Sequence, residues 1–223
     1  MPKDVVMTRT ILRTPRAAAI AGIIFSILFV LGFWLFRQAV PADPLEPGAW
    51  LLKDTKSAGL ALNIIPISGI AFLWFIAVLR DHLGELEDRF FATVFLGSGL
   101  LFLAMFFAAA AMIGAVILVH SAKASGGMID SDAFHVVRAL AFVVMNVYAL
   151  KMAGVFMFST STVIIYTGIA PRWIAITGYV LAFLLIVGST YVSLSVVIFP
   201  AWVLLLSSYI LFVNLRRTAA GPS

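Results

Sequence analysis

Polar and apolar residues fall in long blocks along this chain. Residues 17–36 contain 20 consecutive positions without Lys, Arg, Asp or Glu, residues 57–79 contain 23, and residues 90–122 contain 33. Residues 139–171 make a further 33, interrupted only by Lys151, and residues 173–215 make 43. About 20 mostly apolar residues carry a helix across the hydrocarbon of a bilayer, so each of the first four blocks predicts one helix. The fifth, as one helix at 1.5 Å per residue, would reach about 64 Å, roughly twice the hydrocarbon thickness. Gly188, Ser189, Thr190, Ser193 and Ser195 cluster inside it. A break there predicts six helices, the last two in a tight hairpin; five helices with a kink at Pro200 is the rival. The predicted fold class is all-α, a polytopic transmembrane helical bundle.

Composition narrows the class. The 223 residues are 63% apolar and 11% charged, with no cysteine, and the mean hydropathy is +1.11. A soluble domain has about 25% charged residues. These values exclude a soluble enzyme, a disordered tail, a disulfide-stapled module and thiolate metal sites.

Lys and Arg set orientation, because cationic flanks stay cytoplasmic. Lys3, Arg9, Arg13, Arg16, Arg80, Arg89, Arg172, Arg216 and Arg217 fall on one side; Arg37, Lys53, Lys56, Lys123 and Arg138 fall on the other. Both termini are predicted cytoplasmic. The chain then divides into a basic cytoplasmic segment 1–16, a six-helix transmembrane domain 17–215 and a cytoplasmic tail 216–223. The first apolar run exceeds the 7–15 residues of a signal-peptide core and is expected to be a retained anchor. Arg9, Arg13 and Arg16 share one face of a helix and would attract anionic lipid; with no aromatic residues beside them, nucleic acid is not an expected partner. Glu85 and Arg89 have the i,i+4 spacing of a helical ion pair.

Small residues predict where helices meet: Ala18, Gly22 and Ser26 on the first helix, Ala104/Ala108, Ala110/Gly114 and Ala111/Ala115 on the third, Gly178/Ala182 on the fifth. These faces serve contacts within the chain, between copies, or with a membrane protein partner. Pro41, Pro44 and Pro47 favour an extended run in the first long loop, with Trp50, Leu51 and Leu52 in a short turn after it.

All ten acidic residues lie in loops or termini, so no midplane carboxylate is offered for proton or cation passage. Lys151 is the one charge well inside a predicted span. Its helical neighbours Tyr148, Ser159, Thr162 and Tyr166 form a polar stripe suited to lining a path; snorkelling of the lysine stem is the alternative. If its helix begins near Ala133, Lys151 lies about 27 Å along it; if near Ala139, close to the middle. Asn63 and Pro66 mark the second helix. The proline frees the Leu62 carbonyl, which Ser68 or a neighbour would cap. Asn146 is expected to bond across helices. His120, Asp130, Asp132 and His135 bracket one loop and are weak metal candidates; capping of the fourth helix by Asp130, Ser131 or Asp132 is the plainer expectation. No cofactor is implied, and no Ser–His or Glu–His pairing suits an intramembrane enzyme.

The run Arg89-Phe-Phe-Ala-Thr-Val-Phe-Leu-Gly-Ser-Gly-Leu-Leu and the segments from Ser159-Thr-Ser-Thr through Gly168-Ile-Ala-Pro-Arg-Trp173 resemble small uncharacterised bacterial membrane proteins of about six helices. The resemblance covers about a quarter of the chain. It implies a multi-pass protein of the bacterial cytoplasmic membrane and no reaction. Two function classes follow from the sequence: a non-catalytic scaffold or accessory component, and a small permease or channel for an anionic or neutral solute with Lys151, Tyr148, Asn63, Pro66, Ser159 and Thr162 at its path.

Overall fold

The computed structural model describes residues 15–52, 56–83, 89–122, 131–188 and 195–219. Helices account for nearly all of them: α1 (Pro15–Ala39), α2 (Lys56–Leu83), α3 (Arg89–Ala122), α4 (Asp132–Val143), α5 (Leu150–Thr167), α6 (Arg172–Gly188) and α7 (Ser195–Ala219). A 3₁₀ turn spans Gly48–Leu52. A π-helical stretch, Val144–Ala149, joins α4 to α5, so Asp132–Thr167 runs as one apolar helix of 36 residues. Five helices are long and apolar enough to cross a membrane, and α6, at 17 residues, is a shorter apolar one. The separation of α6 from α7 falls where the glycine–serine cluster predicts it, and Pro200 lies within α7. The segment 1–14, the Glu85–Arg89 ion pair, Asp130 and the tail beyond 219 lie outside the described residues or side chains.

Helix ends follow local chemistry. Ser131 is extended, and its hydroxyl accepts the Phe134 N–H at 3.3 Å to cap α4, with Asp132 in the first turn where the helix dipole favours an acid. This realises the capping expectation at Ser131. The fourth helix therefore starts at Asp132, beside the earlier of the two expected starts, Ala133, and about two turns before the later one, Ala139. Lys151 sits about 28 Å from that start. At the other end, Gly168 adopts φ 66° and donates its N–H to Ile164 O at 3.0 Å. A left-handed residue costs glycine little, and Pro171 then prevents continuation before α6.

Neighbouring helices alternate in direction. Gly22 faces Phe75 and Ser207 while Gly32 faces Ile64, so α1 runs antiparallel to α2, and its contacts with α7 at both Gly22 and Phe25 give the same sense. Gly154 meets Ala182 and Gly178 meets Ser161, which sets α5 against α6. Gly69 meets Phe107 and Gly114 meets Leu62, which sets α3 against α2. The starts of α2 and α4 and the ends of α1 and α3 therefore share one end of the bundle, here called the loop end; α6 ends and α7 begins on the same side but deeper, with Phe199 of the first turns of α7 against Phe25, Phe72 and Phe156.

Phenylalanines fill the middle. Phe72 lies within 4.7–6.2 Å, ring centre to ring centre, of Phe25, Phe75, Phe102, Phe156 and Phe199, and Phe29 and Phe106 extend the cluster. These rings come from α1, α2, α3, α5 and α7. Offset and edge-to-face pairs of this kind contribute beyond area burial. The outside is apolar too: Ile27, Ile67, Trp74, Leu118, Val136 and Phe183 are each more than half exposed. A soluble monomer rarely exposes so much apolar surface. Lipid would satisfy it, and five of the helices are long and apolar enough to cross a membrane.

Candidate functional site

The loop end of the bundle holds an apolar cleft of about 100 Å³. Phe29, Phe33 and Phe36 of α1, Ile65 of α2, Phe106, Ala109 and Ile113 of α3, and Ala141 and Phe142 of α4 line it, with Met145 and Asn146 from the π-helical stretch. Val40, Pro41, Ala42 and Pro44 of the first loop close one side. Two arginines, Arg37 and Arg138, complete the wall.

Arg138 is only 3% exposed. Its Nη1 donates to Glu46 O at 3.2 Å, and its Nη2 donates to Pro41 O at 3.2 Å and Asp43 O at 2.9 Å. The guanidinium carbon lies 5.3 Å from the centre of the Trp50 ring and 5.8 Å from that of Phe134. Three backbone carbonyls and two aromatic faces thus replace water around a buried cation, which otherwise costs several kcal/mol. The result is a latch: α4 holds the proline-rich loop over the cleft, and the 3₁₀ turn packs Trp50 and Leu51 into the same corner. Arg37, on the last turn of α1, donates from Nη1 to Pro41 O at 3.4 Å and stacks over Phe33 at 5.2 Å. Among the described residues, neither guanidinium has a carboxylate within ion-pair distance.

Sequence reading missed both arginines because it treated them as span boundaries. A signal was present. Phe134, Arg138, Ala141 and Met145 follow the i, i+4, i+7, i+11 spacing of one helix face, and the first three of them are buried.

The residues singled out in advance are dispersed. Asn63 is exposed and donates to Gly59 O at 2.8 Å; Pro66 sits one turn on, also exposed. Ser68 does not cap the kink but donates to Phe25 O of α1 at 3.4 Å. Tyr148 is 54% and Tyr166 80% exposed on the outside of the bundle. Lys151 is half-buried, is not on the cleft wall, and has no hydrogen-bonding or ionic partner among the described residues. Ser159 and Thr162 are buried, and their hydroxyls donate to Val155 O and Phe158 O. Thr162 also meets the Tyr179 hydroxyl of α6 at 2.8 Å. Asn146, expected to reach another helix, instead donates to Phe142 O of its own at 2.9 Å. For Asn63, Asn146, Ser159 and Thr162 the acceptor is the carbonyl four residues back on the same helix, a local bond open to any short polar side chain in a helix. His120 lies at the end of α3, Asp132 and His135 at the start of α4. Among the described residues no three His, Asp or Glu side chains gather for a metal.

No protein-family model, curated protein or solved structure matches the chain.

Proposed function

We propose that this chain is a six-span protein of a bacterial cytoplasmic membrane, with both termini cytoplasmic, and that it serves as a non-catalytic scaffold or accessory component. The observation that carries the reading is the phenylalanine cluster. A conduit needs a polar path along the bundle axis; here rings from five helices interlock at 4.7–6.2 Å around Phe72. The polar groups that sequence reading assigned to a path support the same view, since Asn63, Ser159 and Thr162 each donate to a carbonyl of their own helix. The basic segment 1–16 would hold anionic lipid. The exposed small residues Ala104, Ala108, Ala111 and Ala115 on α3 would meet another copy or a membrane partner.

A permease for an anionic or neutral solute is the second reading, and the half-buried, unpartnered Lys151 favours it. Flux from liposomes decides between them. Reconstituted protein should retain a trapped fluorescent anion and a trapped neutral sugar as tightly as protein-free liposomes, with Lys151→Met no different. Protein-dependent leakage that Lys151→Met abolishes would overturn the scaffold reading and establish Lys151 on a path.

A further inference from the structure

We propose that the arginine-walled cleft at the loop end binds a single-chain amphiphile with an oxyanion head, such as a fatty carboxylate or an alkyl phosphate. The inference stands apart from the scaffold reading: a protein that conducts nothing can still hold such a ligand.

The two ends of the site have opposite chemistry. One wall is built of Phe29, Phe33, Phe36, Phe106, Ile113 and Phe142, which suits methylenes. The other carries two guanidiniums. A guanidinium has five N–H donors in a fixed fork that matches a carboxylate or phosphate. Arg37 commits one of its five to Pro41 O, which leaves four. Arg138 commits three bonds to the loop carbonyls, which leaves two. Asp43 and Glu46 of the loop act on the Arg138 charge, whereas no acidic group acts on Arg37. Arg37 is therefore the cation on an apolar wall that a bound anion would compensate.

Size selects a single chain. The cleft, about 100 Å³, is smaller than an engineered cavity of about 150 Å³ that accepts benzene, so it takes the first few methylenes of one chain and leaves the rest of the tail along the lipid-facing surface. The backbone gives an independent pointer. The π-helical stretch contributes Met145 and Asn146 to the floor of the cleft, and such wide turns recur at functional sites because they carry an extra residue at an energetic cost.

Saturable binding of radiolabelled dodecanoate to the full-length protein in phosphatidylcholine nanodiscs, above that of empty nanodiscs, tests the proposal. Dodecanoate and dodecyl phosphate should compete for the site; acetate, which lacks the tail, and dodecanol, which lacks the charge, should not at the same concentration. Arg37→Gln should weaken binding about tenfold or more, as loss of a charge-assisted contact does, while Arg37→Lys keeps part of it. Ala109→Leu, which fills the cleft from α3, should abolish binding with Arg37 intact. Thermal melts establish that the variants fold; should one not, the other carries the test. Equal competition by dodecanol, unchanged affinity in Arg37→Gln, or competition by phosphatidylglycerol alone would overturn the proposal. None of these outcomes depends on whether the liposomes leak.

Discussion

Gly22 and Gly178 set how closely the helices approach. A methyl group at Gly22 would meet the Ser207 hydroxyl and the Phe75 ring; one at Gly178 would meet the Ser161 hydroxyl and the Trp202 indole. Both serine hydroxyls are buried without a hydrogen bond among the described residues, so each glycine–serine contact is tight on one side and unsatisfied on the other. Gly22→Ala should destabilise by about 1–3 kcal/mol through overpacking. Ser207→Ala removes the obstructing atom, and the double variant should recover part of that loss. Four thermal melts complete the cycle; strict additivity would show that the two positions do not press on each other. At the loop end, Arg138→Met keeps the apolar stem and removes three carbonyl bonds. We expect a loss of about 2–4 kcal/mol and faster cleavage between Ala42 and Leu45 by proteinase K. Cleavage at the wild-type rate would mean that the loop is held by something other than the guanidinium.

At the scale of elements, the junction between α4 and α5 matters most. A π-helical stretch holds one residue more than the α-helix that would replace it. Deleting Val147 should restore regular α-helix with α4 still in register against α5, because the wide turn absorbs the extra residue. An alanine inserted after Leu150, in the regular helix, should instead turn α4 by about 100° relative to α5. Arg138 would then leave the loop carbonyls. Protease susceptibility of the loop should rise as in Arg138→Met, and combining the insertion with Arg138→Met should add nothing further; a full additional effect would place the latch elsewhere. The elements were largely legible in the sequence, and the reason is physical. Long charge-free runs must be helical in lipid because every backbone group needs an internal partner. That logic located α1, α2 and α3 to within three or four residues and placed the break before α7. For α4 it left two starts open, near Ala133 and near Ala139, and only the second treats Arg138 as the end of a span; the helix takes the first, from Asp132. An arginine enters a bundle when carbonyls and aromatic faces stand in for water, and no single-residue rule reveals that Pro41, Asp43 and Glu46 lie 92 to 97 positions away in sequence yet within 3.2 Å. The candidate site was illegible for the same reason: it is made of long-range contacts. The polar residues that drew attention, Asn63, Asn146 and Ser159, proved to be satisfied locally.

For the whole molecule, the aromatic core ties five helices into one body. Phe102 lies 4.8 Å from Phe199 and 5.5 Å from Phe72, ring centre to ring centre. Phe102→Ala should therefore cost about 3–5 kcal/mol, read as a lowered melting temperature in mild detergent; a shift no larger than that of an outward-facing substitution such as Phe183→Ala would mean that the core is not cooperative. The latch over the cleft has a different consequence, for how this chain is free to change. Arg138 grips the backbone at positions 41, 43 and 46, while Asp43 and Glu46 also act on it by charge and Asp43 Oδ1 accepts the Leu45 N–H. Closure of the loop is thus strict about spacing and about acid at 43, and lenient about the letter at 42. Substitutions at Ala42 can accumulate without loosening it, while a single residue inserted between Pro41 and Glu46 would move the carbonyls off their donors.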